Sequence, residues 1–139
     1  MIEADAPRIL PELTEANTPF WTGGRGGQLL ILHCDTCAVW VHPPTDECPA
    51  CGGRLVPRAV SGTGTILTFT ENHQQFHPDV TPPYVIAIVV LDEQGNLRLP
   101  TNVVRCDPAA LRCGLPVHVL FERHGDIFVP LFEPILGDR

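Results

Sequence analysis

Fifteen prolines are spread along this 139-residue chain, from Pro7 to Pro134, and they set the first limit on its fold. Proline lacks a backbone N–H and breaks helix interiors. With twelve glycines interleaved, long helices are nearly excluded, and short strands joined by turns are the expected architecture. A core is still affordable: hydrophobic residues make up 44% and charged residues 18%, which argues against wholesale disorder. A chain of this size removes roughly 68% of its extended surface from water on folding. The longest apolar run, residues 84–91, falls far short of the roughly 20 residues that cross a bilayer. The N-terminus lacks the basic-then-apolar pattern of a secretory signal. A cytoplasmic protein without membrane contact is expected. The opening methionine and the lack of linker-like ends predict a stand-alone subunit.

Hydrophobic patterning divides the chain into an arm over 1–27, a cysteine-rich ribbon over 28–60 and a barrel over 61–139. In the arm, Pro7, Pro11 and Pro19 allow only short helical turns. The best start places Thr18 at the N-cap and Pro19 at the first helical position, with Gly23, Gly24, Gly26 and Gly27 ending the turn. Residues 28–34 and 54–60 read as strands around a turn-rich segment, and Ser61-Gly62-Thr63-Gly64 reads as a hinge-like joint. Beyond it, strands are expected over 65–72, 84–91, 97–104, 116–122 and 127–132. The turn cluster at 92–96 makes a hairpin of the second and third. Asp107 as N-cap, Pro108 at N1 and Gly114 beyond mark a one-turn helix before the fourth. Three strands, a short helix and two strands is the order of a five-stranded OB-fold barrel. Another small antiparallel barrel or sandwich is the alternative.

The strongest motif is Cys34-x2-Cys37 followed by Cys48-x2-Cys51. Each CxxC turn presents two thiolates to one point, and two such turns complete the tetrahedron that Zn²⁺ accepts. A rubredoxin-type iron site would use the same ligands. A redox couple would need a helix N-terminus to lower one thiol's pKa, and two disulfides would need an oxidising compartment. A four-thiolate shell is closed, so its metal supports folding and offers no catalytic position. His33 and His42 lie beside the ribbon as spare ligands to a shell already full. Cys106 and Cys113 have no ligand spacing and read as small buried hydrophobes.

No catalytic set stands out. His73 and His77, with Phe76 between them, sit in a loop before Pro82-Pro83, where binding residues concentrate. No carboxylate pattern marks them as an acid–base pair, and solvated loop histidines are the plainer reading. His118 and His124 read as structural. There is no GxSxG, P-loop or GxGxxG opening a helix. Phe20 and Trp21 are two large apolar groups on an arm outside the barrel. They either fold back on the ribbon, against Trp40, or anchor a partner, since aromatics are enriched at interface centres.

These residues resemble the zinc-ribbon and OB-fold proteins associated with acyl-CoA metabolism, long known only as a domain of unknown function. The resemblance runs from Thr18 to Pro134. It rests on Pro19-Phe20-Trp21, Gly27 ahead of Cys34-x2-Cys37, Pro43-Pro44, Cys48-Pro49-x-Cys51-Gly52, Val60-Ser61-Gly62-x-Gly64, Pro83-Tyr84-Val85-x-Ala87 and Phe132-x-Pro134. It implies a non-catalytic accessory subunit that sits beside thiolase-superfamily enzymes. Some members pair with acetoacetyl-CoA thiolase and hydroxymethylglutaryl-CoA synthase in archaea. Others partner lipid-transfer-protein-like aldolases (lyases) of lipid metabolism and steroid degradation that cleave side-chain CoA thioesters, or fuse to hydratase domains. Structural zinc carries over to Cys34, Cys37, Cys48 and Cys51, and no catalytic residue carries over. Ala38 departs from the family, which often has glycine after the second cysteine; alanine is tolerated there if φ is negative. The resemblance implies a thiolase-superfamily partner in a hetero-oligomeric complex, and the apolar area of Phe20 and Trp21 on the arm is the candidate contact. On this resemblance the chain walls an acyl-CoA thioester channel with His73, Phe76 and His77. Arg105 or Arg112 would pair with CoA phosphates, since Arg forks match phosphate oxygens, although solvated surface arginines are the plainer reading.

The competing class is a nucleic-acid-binding OB-fold and zinc-ribbon module. Charge argues against it. All nine basic residues are arginine and the net charge is −7. The arm to residue 21 carries −3, residues 22–60 carry none and residues 61–139 carry −4. Single-strand binding needs a positive groove lined with stacking aromatics. The purified chain is therefore expected to bind single-stranded DNA or RNA no better than a neutral control protein. A salt-sensitive micromolar affinity in a polarisation assay would contradict this.

Overall fold

A computed structural model describes residues 2–3, 8–75 and 82–135. The chain is mostly strand, with one short helix near its N-terminus. The barrel consists of β5 (Thr63–Asn72), β6 (Tyr84–Leu91), β7 (Arg98–Val103), β8 (Pro116–His124) and β9 (Ile127–Pro134). Hydrogen bonding runs β8-β5-β6-β7-β9, and β9 returns to β8 to close the barrel. This is the expected OB-fold order. The pairing of β7 with β9 is parallel at Val103 and Phe132; the other barrel pairs are antiparallel. A bulge between Ile66 and Thr68 bends β5 so that it serves both sides of the barrel. One face of each strand fills the interior, including Ile66, Val89, Leu91, Val117 and Phe132, and Leu97 joins them from just before β7, each at most 1% exposed. Between β7 and β8, Pro108–Ala110 forms one 3-10 turn, and the Asp107 side chain accepts from the Ala109 N–H as the sequence predicts.

The ribbon is a three-stranded antiparallel sheet of β2 (Leu30–Cys34), β3 (Val39–Val41) and β4 (Leu55–Ala59), ordered β3-β2-β4. The short strand β3 lies inside the segment read as turns. The expected hinge at Ser61–Gly64 is instead tied down. The turn after β6 holds it, with Glu93 Oε2 accepting the Ser61 N–H at 2.7 Å and Asp92 Oδ2 accepting the Thr63 hydroxyl at 2.5 Å. The Val119 N–H donates to the Gly62 carbonyl from the other side. Gly64 lies within the β5–β6 ladder opposite Leu91, where a Cβ would collide with the Val90 carbonyl.

The arm is part of the fold. A two-residue strand β1 (Ile2–Glu3) runs parallel to β8 at Glu122 and Arg123. Arg8 Nε donates to Glu122 Oε1 at 2.9 Å and its NH1 to Asn102 Oδ1 at 2.8 Å. Burial alone would raise the Glu122 carboxyl, but hydrogen bonds from His124 and Arg8 outweigh it and hold that group below the usual carboxylate range. Helix α1 (Thr18–Thr22) starts one residue earlier than expected. Asn17 is the N-cap and Thr18 is helical. The Asn17 side chain is engaged backwards, accepting from the Thr14 N–H and donating to the Glu12 carbonyl, so it cannot cap the helix. The glycines continue as a 3-10 turn over Gly23–Gly26, and Gly27 at φ 73° ends it.

Gly24 sits where this turn meets the barrel. A Cβ on it would lie 2.6 Å from Phe121 Cδ1 and from Phe128 Cβ. Gly24→Ala must therefore push the arm off the barrel end. It is expected to lower stability by about 1–3 kcal/mol while the protein keeps its metal, measured by chemical denaturation alongside elemental analysis. An unchanged midpoint would show that the arm does not dock there.

Candidate metal centre

The four ribbon cysteines converge. Their sulfurs all lie within 4.8 Å of one another. Cys34 and Cys48 are buried, Cys37 is half-buried and Cys51 is exposed. Two similar knuckles present them. In the first the Ala38 N–H donates to the Cys34 carbonyl at 2.7 Å, and in the second the Gly52 N–H donates to the Cys48 carbonyl at 2.7 Å. The residue after each second cysteine is left-handed, Ala38 at φ 59° and Gly52 at φ 73°. Ala38 therefore keeps the glycine-type turn instead of adopting a negative φ, at a cost of roughly 1 kcal/mol.

The chemistry fits a dication. Zn–S bonds of about 2.3 Å require sulfur–sulfur edges of about 3.8 Å in a tetrahedron, and Cys34 and Cys51 are already 3.6 Å apart. That is far beyond a disulfide's roughly 2.05 Å, and all six cysteines are free thiols. The backbone N–H of Cys37 pulls the Cys34 thiol down to about 7. Hydrogen bonding with Cys51, then burial, pushes Cys37 up to about 12. Four adjacent sulfurs cannot all ionise unless a cation is among them, and metal binding supplies it. The Cys37 N–H aims at Cys34 Sγ and the Gly53 N–H at Cys51 Sγ, so backbone donors support the thiolates. Around the site, Asp35 accepts from Nε and NH2 of the Arg58 guanidinium and meets ring nitrogen Nδ1 of His33. These contacts, Arg58 first, hold the Asp35 carboxyl well below the usual range and join β2 to β4.

The other expected site residues scatter. Phe20 is only 5% exposed and lies in the core, so it offers no surface to a partner. Its ring meets Trp21 edge-on at 4.8 Å and the His42 ring at 4.8 Å. The fold-back onto the ribbon is real, and the barrel shares the same cluster. Trp40 packs on that cluster while its ring meets His33 at 4.6 Å. Trp21 is half-buried and touches the outer face of β8 and β9 as well. His73, just past β5, is exposed and pairs with Glu71 at 2.9 Å. Arg105 follows β7 at φ 56° and lies 3.6 Å from Glu133. The ladder places His73 and Arg105 at one end of the barrel, where Asn72 and Val103 face the start of β6. Arg112 is exposed beside Gly114, which is bonded to Ile66 well down β5. Phe76 and His77 lie outside the described residues. Cys106 is half-buried, with its thiol raised by burial, whereas Cys113 is exposed and not the buried residue expected.

Sequence reasoning missed Gln94. Its amide accepts from the Trp40 N–H and donates to the Trp40 carbonyl, both at 3.0 Å, fastening the barrel's β6–β7 turn to β3. No local pattern announces such a contact across 54 positions. Next to it a cleft of about 480 Å³ opens between ribbon and barrel, lined by Trp40, His42, Cys48, Gln94 and Leu97 among others. His42 Nδ1 is buried there without a hydrogen-bond partner, and burial pushes the imidazole down to about 4.

Comparison with known proteins settles the lineage. Residues 21–56 match the family model for the ChsH2 rubredoxin-like zinc ribbon domain, and residues 57–122 that for the ChsH2 C-terminal OB-fold domain. A solved chain of an Ltp2-ChsH2(DUF35) aldolase superposes with a TM-score of 0.80 at 31% identity, over 90% of this chain and 98% of that one. This chain belongs to the ChsH2/DUF35 family. The probable enoyl-CoA hydratase alpha subunit of Thermomonospora curvata is 31% identical over 131 residues, 93% of this chain and 40% of that protein. The 3-oxo-4,17-pregnadiene-20-carboxyl-CoA hydratase alpha subunit of Mycobacterium tuberculosis is 34% identical over 119 residues, 83% of this chain and 36% of that protein. The chain thus spans about two fifths of the length of these relatives. A DUF35 protein of Sulfolobus solfataricus, at 12% identity and a TM-score of 0.62, shares the fold. As a ChsH2-type ribbon, the four-cysteine site is a structural zinc centre. Among the described residues, no helix is long and apolar enough to cross a membrane.

Two outcomes follow. Purified protein should carry one zinc per chain, and serine at any of Cys34, Cys37, Cys48 or Cys51 should unfold the ribbon, because structural zinc contributes folding energy directly. Elemental analysis with hydrogen exchange checks both, and a folded ribbon with substoichiometric metal would refute them. His42 titrates lower folded than unfolded, so acid favours the unfolded chain. Its contribution is fully present above pH about 6.5 and is lost as the pH falls to about 4, in all up to about 3 kcal/mol. His42→Phe should flatten the fall in stability between pH 7 and 5.5.

Proposed function

We propose that this chain is a non-catalytic accessory subunit of a thiolase-superfamily enzyme, such as a lipid-transfer-protein-like aldolase, and helps to form its acyl-CoA thioester site. The observation that carries this reading is the match over 98% of a chain of the Ltp2-ChsH2(DUF35) aldolase. The name of the Methanocaldococcus jannaschii relative, a DUF35 domain-containing scaffold protein 29% identical over 100 residues, agrees with it. The substrates would be the CoA thioesters of lipid or steroid side-chain breakdown, handled in the cytoplasm. In this reading the arm over 1–27, the ribbon over 28–60 and the barrel over 61–139 act as one unit.

Mechanism follows from what the chain can supply. The zinc shell is full, so the metal holds shape and takes no substrate. The partner brings the nucleophile or base. This chain contributes a wall that excludes water and positions the acyl group. His73, Phe76 and His77 form that wall in the proposal, with Arg105 or Arg112 toward CoA phosphate. Trp21 touches the partner, and Phe20 beneath it holds the indole in place.

The test is co-expression with a thiolase-superfamily protein of the same organism, followed by gel filtration and an assay with an acyl-CoA thioester. The two should elute together, this chain alone should show no turnover, and the complex should be active. Trp21→Ala should weaken the complex and leave the zinc content unchanged. Separate elution, with a partner equally soluble and active by itself, would end this reading.

A further inference from the structure

Strand β6 is apolar on both faces. Val85, Ala87, Val89 and Leu91 point into the barrel. The alternate positions Ile86, Ile88 and Val90 point outward. Ile86 is 40% exposed, and Leu67, on the β5 bulge beside this strand, is 42% exposed. The barrel's other outer apolar face behaves differently. On β8 and β9, Leu120, Val129 and Leu131 are at most 8% exposed because the chain's own Ile2, Trp21 and Val104 cover them. The chain therefore clothes one outer face with its arm, whereas on the β5–β6–β7 face, among the described residues, Ile86 and Leu67 are left exposed and Ile88 and Val90 half-buried.

Charge says what covers it. The cross-strand neighbours of Val90, Ile88 and Ile86 are three threonines on β5, and Arg98, Pro100 and Asn102 on β7. None is acidic, although the whole chain carries −7. Arg98 is exposed and makes no ion pair among the described residues. An apolar centre depleted of charge with arginine at its edge is the composition of an interface core and rim. A symmetric pairing of this face with a second copy would leave Arg98 without a carboxylate and would bring two chains of net charge −7 together. We infer that the outer face of β5–β6–β7 is a docking surface for the partner enzyme in addition to the contact at Trp21; the partner meets Ile86 and Leu67 with apolar side chains and Arg98 with a carboxylate. This rests on the accessory-subunit reading and says which face serves it.

The experiment uses the full-length chain and the purified thiolase-like protein, with affinity read by biolayer interferometry. Ile86→Glu should weaken the complex by about tenfold or more, with zinc content and thermal midpoint unchanged. Arg98→Glu should weaken it less and remove most of its salt dependence. If the wild-type chain binds and both variants bind within about twofold of it, this face is wrong and the accessory reading stands. If the wild-type chain does not bind, both fall. Should Ile86→Glu lose zinc, Arg98→Glu alone decides, and unchanged binding overturns the inference. If the isolated chain sediments as a dimer that Ile86→Glu dissociates, a second copy is the occupant and the inference is overturned.

Discussion

The ribbon is too small to hold itself together, and the rest of the molecule is arranged around that fact. Its three strands have five, three and five residues. Modules of this size need a metal, a disulfide or a neighbour. This one uses a metal on one side and a neighbour on the other. The thiolates close the cysteine end, while Leu29 and Ile31 enter the same cluster as barrel residues Ile66, Val85 and Leu97. Phe20 completes that cluster from a third segment. Burying its ring contributes about 2–3 kcal/mol, and no one of arm, ribbon or barrel keeps that contribution alone. Division into three parts describes the sequence better than it describes the packing.

Much of the barrel was legible because its strands have local signatures. Strand β6 was bounded by Pro82-Pro83 and the turn at 92–96, and its observed span agrees with that reading. The metal ligands were legible because CxxC spacing is itself geometry. The arm was not, since its docking rests on single residues reaching far along the chain. Arg8 bonds to Asn102 and Glu122, and Gly24 packs on Phe121 and Phe128. Likewise Ser61–Gly64 looks flexible by composition, yet its glycines are there for close approach and its polar groups are taken up by Asp92 and Glu93. The three residues of β3 are too few, amid prolines and cysteines, to show a period of two.

The apolar run of β6 carried a further signal. A strand apolar at every position is ordinarily buried on both faces, whereas a solvated sheet face alternates. In this barrel one face is core and the other faces outward. Pattern and burial disagree along that strand, and the docking of a partner proposed for this face would reconcile them.

The bond pair between Gln94 and Trp40 has a consequence for how metal loss would be felt. Trp40 lies three residues past Cys37, on the strand that the thiolate cluster holds in register with β2. Gln94 belongs to the same turn whose Asp92 and Glu93 hold the start of β5. Stripping the metal therefore loosens β3, releases Gln94 and slackens the turn that pins the entry to the barrel. The amide protons of residues 61–63 and 94–97, more than forty positions from the nearest thiolate in the case of the turn, would become a sensor of metallation.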